Sequence, residues 1–416
     1  MENVEVINGY LQSRGSLVQC ALTESKGRIL VASRDFESGD VIYTEPPLHI
    51  IEEDENSELF RQLEQFALVH DLCYSARWCW CALNSLTAGD LEQLPLRCSL
   101  ISEGLQRQLL WLCAPDENDS AALPAIQQLL LDLGMTTDLT DKFWRLLQVW
   151  KYNSFEYSDD PVASAIYLQA SFHSHDCNPN SNWVADEQLV LRARRPIAAG
   201  EEVTISYLSD EELFEATMER RMRLRISKDF HCLCQRCSEH WDRSRGVRCR
   251  CGSLRFLAAE GSDLSPCDAG CAWPAVEVTK REELLVQLCR QQADADRATR
   301  LATAQSFAPA AHQLLPRHWA TECLHKWLAE GCATKKEAKE CEEKRLEFLQ
   351  DAYEGAMRNT HTAWVMQSLA MWTLSSCGVL REDPPPSPAP STEREGYEAS
   401  DPTGRICETS LRKPLC

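Results

Sequence analysis

The segment Cys232-x-Cys234-x-x-Cys237 constrains the fold of this chain most, because it places three thiols within six residues. A short turn with this spacing supplies three corners of a tetrahedral zinc site, so the fourth ligand must come from elsewhere. Cys177 lies in the turn-rich segment Cys177-Asn178-Pro179-Asn180 and is the candidate for that ligand. The site would tie two distant parts of the chain together. The alternative is a small core of reduced cysteines that binds no metal.

The other cysteines fall into two groups. Cys249-Arg250-Cys251-Gly252 and Cys267-x-x-x-Cys271 lie among Gly, Ser and Pro residues, which suggests a second zinc site formed by Cys249, Cys251, Cys267 and Cys271. Scattered thiols on a loop are the alternative. Another group lies among apolar helical residues and is predicted to be buried without a metal; it comprises Cys73, Cys79, Cys81, Cys98 and Cys113.

The first residues, the apolar runs and the net charge of the chain indicate its compartment and the kind of partner that it would bind. Met1-Glu2-Asn3-Val4-Glu5 lacks the pattern of a secretory signal, and no apolar run approaches the roughly 18 residues that span a bilayer. We therefore expect a reducing compartment, cytoplasmic or nuclear, and no membrane contact. The net charge of −20 argues against direct binding to nucleic acid and suits a basic polypeptide partner. The local basic run Arg220–Arg225 is predicted to be a solvated helix face.

Alternating β-branched runs and turn signals predict strands in two separate regions. One covers residues 15–51, and the other includes Leu189–Ala193 and Val203–Tyr207. We expect these two regions to form one sheet, with residues 55–152 inserted between them. Apolar residues spaced three and four apart, such as Leu59-Phe60-Leu63-Phe66 and Phe143-Leu146-Leu147-Trp150, predict that the insertion is helical.

The run His173-x-His175-Asp176 has two possible chemistries. Two imidazoles at positions i and i+2 of a strand would share one face, as in the metal sites of zinc hydrolases. No matching set of further His and carboxylate ligands is recognisable elsewhere in the sequence. The hydrolase hypothesis therefore ranks below the one that follows.

Four segments resemble SET-domain lysine methyltransferases in order and spacing, and the SET-and-MYND group most closely. They are Asn153-Ser154-Phe155, His175-x-Cys177-Asn178-Pro179-Asn180, Gly200–Tyr207 and Phe230-x-Cys232-x-Cys234-x-x-Cys237. The resemblance implies S-adenosylmethionine as methyl donor, structural zinc, and a lysine-bearing protein or peptide as acceptor. It also implies a fold in which the segment around His175 passes beneath the chain near Tyr207. No MYND zinc finger is recognisable between Pro47 and Asn153.

The resemblance assigns roles to individual residues. Tyr207 would be catalytic, orienting the lysine amine, while Phe230 would stack on the donor adenine. The other donor contacts would come from the early glycine turn, from Asn153 and from the histidine segment, and they comprise Lys26, Gly27, Arg28, Asn153, His173, Ser174, His175 and Tyr207. The zinc ligands would be Cys177, Cys232, Cys234 and Cys237.

A second hypothesis from a different class is a degenerate SET fold that serves as a zinc-stabilised protein-interaction scaffold. Ile29 replaces the second glycine of the family's early turn, and Ser174 replaces an asparagine; both substitutions favour the scaffold. The intact Tyr207, Asn153 and Phe230 favour the enzyme.

The sequence thus predicts a monomeric α+β protein built around a SET-type β-sheet. We expect its units in chain order to be the N-terminal SET part (1–52), a helical insertion (53–152), the C-terminal SET part (153–210), a post-SET zinc-binding region (211–278), a C-terminal helical domain of hairpin or TPR-like type (279–381) and a disordered tail (382–416).

Overall fold

The computed structural model describes residues 4–70, 76–90, 100–114, 122–185, 187–331 and 335–352. Helices and strands both contribute, as the sequence predicts. The predicted tail, the last part of the predicted C-terminal domain, Cys73 and Cys98 lie outside these residues.

The strands are β1 (Val18–Thr23), β2 (Gly27–Ala32), β3 (Val41–Glu45), β4 (His49–Glu52), β5 (Phe155–Asp159), β6 (Val162–Ile166), β7 (Ser174–His175), β8 (Ser181–Ala185), β9 (Leu189–Ala193), β10 (Thr204–Ile205), β11 (Trp241–Arg248), β12 (Leu254–Ala258) and β13 (Arg317–His318).

The helices are α1 (Val4–Ser13), α2 (Glu58–Val69), α3 (Ala76–Leu83), α4 (Glu103–Leu109), α5 (Ala122–Asp132), α6 (Thr140–Asn153), α7 (Asp210–Phe214), α8 (Thr217–Lys228), α9 (Gln235–Ser238), α10 (Ala275–Gln292), α11 (Arg297–Leu314), α12 (Trp319–Gly331) and α13 (Lys335–Ala352).

Strands from the two predicted regions pair across the helical insertion. β3 is antiparallel to β9, with Glu45 opposite Leu189, and β4 is antiparallel to β6, with His49 opposite Ile166. The expectation of one sheet is wrong, however, because the strands divide into several small sheets of two or three strands. Short strands with a register shift, as between Val41 and Tyr43, twist and end before a wide sheet can form.

Helices of the insertion contribute many buried residues to the first of two hydrophobic cores. Phe143, Leu146, Leu147 and Trp150 are all buried on α6, as their spacing predicts. They pack with α1, with strands that include β2, β3, β6 and β9, and with the other insertion helices. Helix α1 itself is an element that the sequence analysis did not predict.

A second core joins the cysteine-rich region to the C-terminal helices. β11 pairs with β12 and with the two-residue strand β13, which lies between α11 and α12. Neither β12 nor β13 was predicted, because both are short and lie next to stronger loop or helix signals. Cys177 belongs to this second core, although β7, next to it in the chain, pairs with β10.

Candidate active site and cysteine clusters

A two-residue parallel pairing brings the two most informative motifs together. Ser174 and His175 of β7 lie opposite Thr204 and Ile205 of β10. The Asp176 amide donates to the Ile205 carbonyl at 3.0 Å, which continues the pairing. Tyr207, two residues beyond β10, is thereby held against the histidine segment.

Tyr207 is fixed at both of its ends. Its hydroxyl donates to the backbone carbonyl of His173, and its amide donates to Nδ1 of His175 at 3.0 Å. Its ring centroid lies 5.4 Å from that of His175 and 6.3 Å from that of Phe230. The residue remains 37% exposed, so a ligand can reach the ring. Burial of the hydroxyl end raises the pKa of Tyr207 above its ordinary value.

His175 links this tyrosine to a cysteine. Because Nδ1 accepts the Tyr207 amide, the neutral ring carries its proton on Nε2, which lies 3.2 Å from Sγ of Cys177. Burial lowers the pKa of His175 to about 4, so the ring is neutral near pH 7. The imidazole therefore donates to the sulfur and fixes the backbone at Tyr207.

Both ring nitrogens of His173 form hydrogen bonds within the protein. Nδ1 donates to the Val203 carbonyl at 2.8 Å, and Nε2 accepts from the Tyr43 hydroxyl at 2.8 Å. The ring is buried, and desolvation lowers its pKa to about 4. His173 and His175 thus face different partners, contrary to a shared metal-binding face. Among the described residues neither belongs to a group of three or more potential metal ligands, so the hydrolase hypothesis gains no support.

Glu202 connects two of the predicted donor contacts, and the sequence analysis did not identify it. Its carboxylate accepts from the Ser174 hydroxyl and pairs with the Lys26 ammonium at 2.7 Å. Gly27, the next residue after Lys26, has a φ of +69°, and a Cβ at this position would meet no atom within 4 Å. Open space therefore lies beside the glycine turn.

Two further predicted donor contacts, Arg28 and Asn153, form hydrogen bonds to backbone carbonyls of the protein. Arg28 donates to the Trp111 carbonyl and lies 5.3 Å above the Phe172 ring. Asn153 is buried at the end of α6, where its amide donates to the carbonyls of Cys113 at 2.7 Å and Val149 at 2.8 Å. Ile29 is buried in β2.

Phe230 follows Asp229, whose left-handed backbone (φ 56°) ends helix α8. This turn directs the chain from the helix toward the cysteines. The Phe230 ring lies 6.0 Å from the His175 ring, so it adjoins both the histidine segment and Tyr207.

The first cysteine cluster assembles as the spacing predicts. The sulfurs of Cys177, Cys232, Cys234 and Cys237 all lie within 4.8 Å of one another. Sγ of Cys177 is 3.5 Å from that of Cys237 and 4.0 Å from that of Cys232. Four sulfurs at about 2.3 Å from one tetrahedral ion would be separated by about 3.8 Å, so this group fits zinc.

A buried arginine stabilises negative charge at this cluster. Arg220 is fully buried, and its guanidinium lies 3.5 Å from Sγ of Cys237. Contacts from the other three thiols lower the pKa of Cys237, and the charge of Arg220 acts in the same direction. The prediction that residues 220–225 form a solvated face is therefore wrong at Arg220, although Met222 and Arg225 are exposed.

The second cluster also assembles. The sulfurs of Cys249, Cys251, Cys267 and Cys271 lie within 4.8 Å of one another. Sγ of Cys267 is 3.5 Å from Cys251 and 3.7 Å from Cys249. Gly252, with a φ of +93°, forms the turn that brings Cys249 and Cys251 to the same side.

The cysteines predicted to be buried without a metal divide between two environments. Cys79 and Cys81 are buried in α3, as predicted, and burial raises the pKa of Cys79 to about 12. Cys113 is exposed, which corrects the prediction for that residue. It lies in the loop after α4, whose own apolar face is turned to the core.

Comparison with known proteins identifies part of the chain. Residues 27–208 match the family model described as SET domain. The chain is 30% identical over 109 residues to SET domain-containing protein SmydA-8, isoform B, of Drosophila melanogaster, covering 24% of each chain. It is 42% identical over 77 residues to Histone-lysine N-methyltransferase SMYD3 of Mus musculus, covering 18% of this chain and 17% of that protein.

The alignments thus span about a quarter or less of the length of these relatives. A crystal structure of the SET domain of LSMT bound to MeLysine and AdoHcy overlaps 89% of this chain at 15% identity, with a TM-score of 0.33. The described residues contain no helix long and apolar enough to cross a membrane. From the family match and the predicted motifs, we conclude that this chain contains a SET domain, formed by residues 27–208.

Proposed function

We propose that this protein transfers a methyl group from S-adenosylmethionine to the side-chain amine of a lysine in a protein substrate. The observation that carries the proposal is the position of Tyr207. Its hydroxyl donates a hydrogen bond to the His173 carbonyl, and its ring lies beside His175 and Phe230. A polar, oriented hydroxyl at one edge of the candidate donor site supports the proposal.

The chain's residues fit such a donor. Open space lies at Gly27, a carboxylate is held at Glu202 between Lys26 and Ser174, and Phe230 offers an aromatic ring beside His175. S-adenosylmethionine, when bound, would supply a methyl group on a positively charged sulfur. The main tasks of the protein are then to align an amine with that methyl group and to exclude water.

Two groups would prepare the acceptor. The Tyr207 hydroxyl and the His173 carbonyl would orient the amine through oxygen contacts. The acceptor amine must also lose its proton, and enclosure among Tyr207 and Phe230 favours the neutral form by desolvation. Zinc takes no part in this chemistry; we propose that each cysteine cluster binds one structural zinc ion.

Calorimetric titration with S-adenosylmethionine tests the donor site. The zinc-loaded full chain should bind it with a dissociation constant below about 1 mM, and Phe230→Ala should weaken binding about tenfold by removing an aromatic contact. Phe307→Ala is the matched control, because Phe307 is an exposed ring on α11. Absence of binding at millimolar donor would refute the enzyme hypothesis and leave the scaffold. Binding by both variants at the wild-type level would remove Phe230 from the donor site.

Transfer itself is measured with labelled donor and core histones as lysine-bearing acceptors, because similar proteins are named histone-lysine methyltransferases. Incorporated label on lysine, identified by mass spectrometry, is the expected result.

A further inference from the structure

Lys228, the last residue of α8, is a lysine of the chain itself that lies at the candidate active site. Its Nζ lies 5.6 Å from the centroid of the Tyr207 ring and donates to the Tyr152 carbonyl at 3.0 Å. Tyr152 directly precedes Asn153, one of the proposed donor contacts. The residue is half-buried, although a lysine at a helix end normally extends into water.

These surroundings are those that an acceptor amine requires. A backbone carbonyl accepts one amine hydrogen, an aromatic ring covers one side, and no carboxylate forms an ion pair with Nζ among the described residues. Burial, followed by repulsion from Lys151, lowers the pKa of Lys228 to about 8. About a tenth of the side chain is therefore neutral at pH 7, against less than about a thousandth for an ordinary lysine.

We propose that Lys228 occupies the acceptor position of the site and is methylated by its own chain. This inference rests on the proposed function. The lone pair of neutral Lys228 would form the N–C bond to the donor methyl group while the C–S bond breaks and its electron pair stays on sulfur. The products are N-methyl-Lys228, which carries the positive charge, and S-adenosylhomocysteine. The proton that Lys228 loses before the step goes to solvent.

A purely structural role is the competing explanation, since Lys228 also caps the carbonyl end of α6. Lys228→Arg separates the two explanations, because arginine keeps the charge and the hydrogen bond to Tyr152 but cannot accept a methyl group by this route. Lys326→Arg is the matched control; Lys326 lies on α12 and pairs with Glu211.

The first measurement is peptide mapping by mass spectrometry after incubation of the full chain with methyl-deuterated S-adenosylmethionine. The expected result is a label on Lys228, in a fraction that does not change on tenfold dilution, because the reaction is intramolecular. Lys228→Arg should lose this label, whereas Lys326→Arg should keep it. A chain that methylates histone lysines while Lys228 stays unlabelled would overturn the inference and leave the proposed function intact.

The second measurement does not depend on turnover. A bound sulfonium should favour neutral Lys228, so the donor affinity of the wild type should rise about tenfold between pH 7 and pH 9, as linkage to a group of pKa about 8 requires. The other titratable or charged groups around Lys228 are Lys151, Cys113, Tyr152, Tyr207 and Asp229. Because they remain in Lys228→Met, the pH profile of that variant reports their contribution alone, and it should lack the tenfold rise that Lys228 contributes in the wild type.

An equal pH dependence in the wild type and Lys228→Met would overturn the inference, since the linked proton would then belong to another group. If neither protein binds the donor at any pH, the proposed function fails as well. If the donor binds but Lys228 is not methylated, only the inference about Lys228 fails.

Discussion

At the scale of single residues, the histidine side chains of the candidate site already have hydrogen-bond partners within the protein. The His175 ring uses one nitrogen for the Tyr207 amide and the other for the Cys177 sulfur. A change at Cys177 would therefore affect Tyr207 through the His175 imidazole alone. The residue spacing in the sequence indicated that Cys177 and Tyr207 both matter, but it did not indicate this connection.

Replacing Tyr207 by phenylalanine tests the catalytic role that we propose for its hydroxyl. The ring contacts with His175 and Phe230 should persist, so donor affinity should stay within about threefold, while methyl transfer to histones should fall by about 100-fold because one oriented oxygen contact is lost. Calorimetry and label incorporation measure the two effects separately. Tyr157→Phe, on strand β5, is the control. Unchanged turnover in Tyr207→Phe would remove the hydroxyl from the mechanism.

Glu45 is a second residue with a measurable consequence, because it holds the turn that leads into the histidine segment. Its carboxylate accepts from the amides of Gln169 at 2.7 Å and Ala170 at 3.0 Å. Burial raises the pKa of Glu45 to about 7, above its ordinary value of 4.5. The folded protein thus holds this proton more tightly than the unfolded chain does, and stability is lost as pH rises from about 4.5 to about 7.

Glu45→Gln should remove this part of the pH dependence. We expect the difference in free energy of unfolding between pH 5 and pH 8 to change by on the order of 2 kcal/mol relative to the wild type, as measured by denaturant titration. Glu187→Gln, at an exposed position, serves as the control. The same pH dependence in Glu45→Gln and the wild type would show that Glu45 is not the group responsible.

At the scale of elements, short strands position the functional segments, and these were the hardest to predict. β7, β10 and β13 have two residues each, too few for an alternating pattern to be recognised. By contrast, the insertion helix α6 has a regular apolar spacing and was predicted from it. The resemblance to SET proteins, rather than periodicity, supplied the expectation that the His175 segment lies near Tyr207.

The pairing of β11 with β13 depends on Gly246. A Cβ there would lie 2.5 Å from Cβ of Arg317 and 2.8 Å from its carbonyl oxygen, both far inside contact distance. Gly246→Ala should therefore destabilise the protein by about 1–3 kcal/mol in thermal or denaturant unfolding. Gly9→Ala in α1 is a suitable control, because its Cβ would meet nothing within 4 Å and alanine favours helix by about 1 kcal/mol. Equal stability of Gly246→Ala and wild type would show that β13 can move away without cost.

At the scale of the whole molecule, the first cysteine cluster lies in the second core and holds Cys177 there, although Cys177 comes from a distant part of the chain. Cys177 comes from the SET segment, whereas Cys232 and Cys237 come from the region packed on the C-terminal helices. The spacing of the thiols was enough to predict this junction. The burial of Arg220 beside it was not predictable, because a run of basic residues resembles a solvated surface until Asp242 and the cysteine sulfurs are known to face it.

Metal analysis tests this junction. We expect two zinc ions per chain by elemental analysis, and one in either Cys237→Ser or Cys267→Ser. Loss of the first ion should also unfold the junction, since the binding free energy of a structural zinc, on the order of 10 kcal/mol, contributes to folding. Limited proteolysis should then cut within residues 211–240 of Cys237→Ser but spare Cys20→Ser, whose buried thiol lies in neither cluster. Less than one zinc per chain in the wild type would contradict the assignment.

The parallel contact between β7 and β10 also bears on how the chain reaches its native state. It joins residues 30 positions apart, Ser174 and Thr204, through two residue pairs, whereas the hairpin of β8 and β9 closes locally through five. Contacts that close a long loop for few hydrogen bonds form late, because their entropy cost is offset only after neighbouring structure exists. We therefore expect the hairpin to fold first and Tyr207 to meet the His173–His175 segment near the end, so that a nascent or partly folded chain does not yet hold Tyr207 against His175.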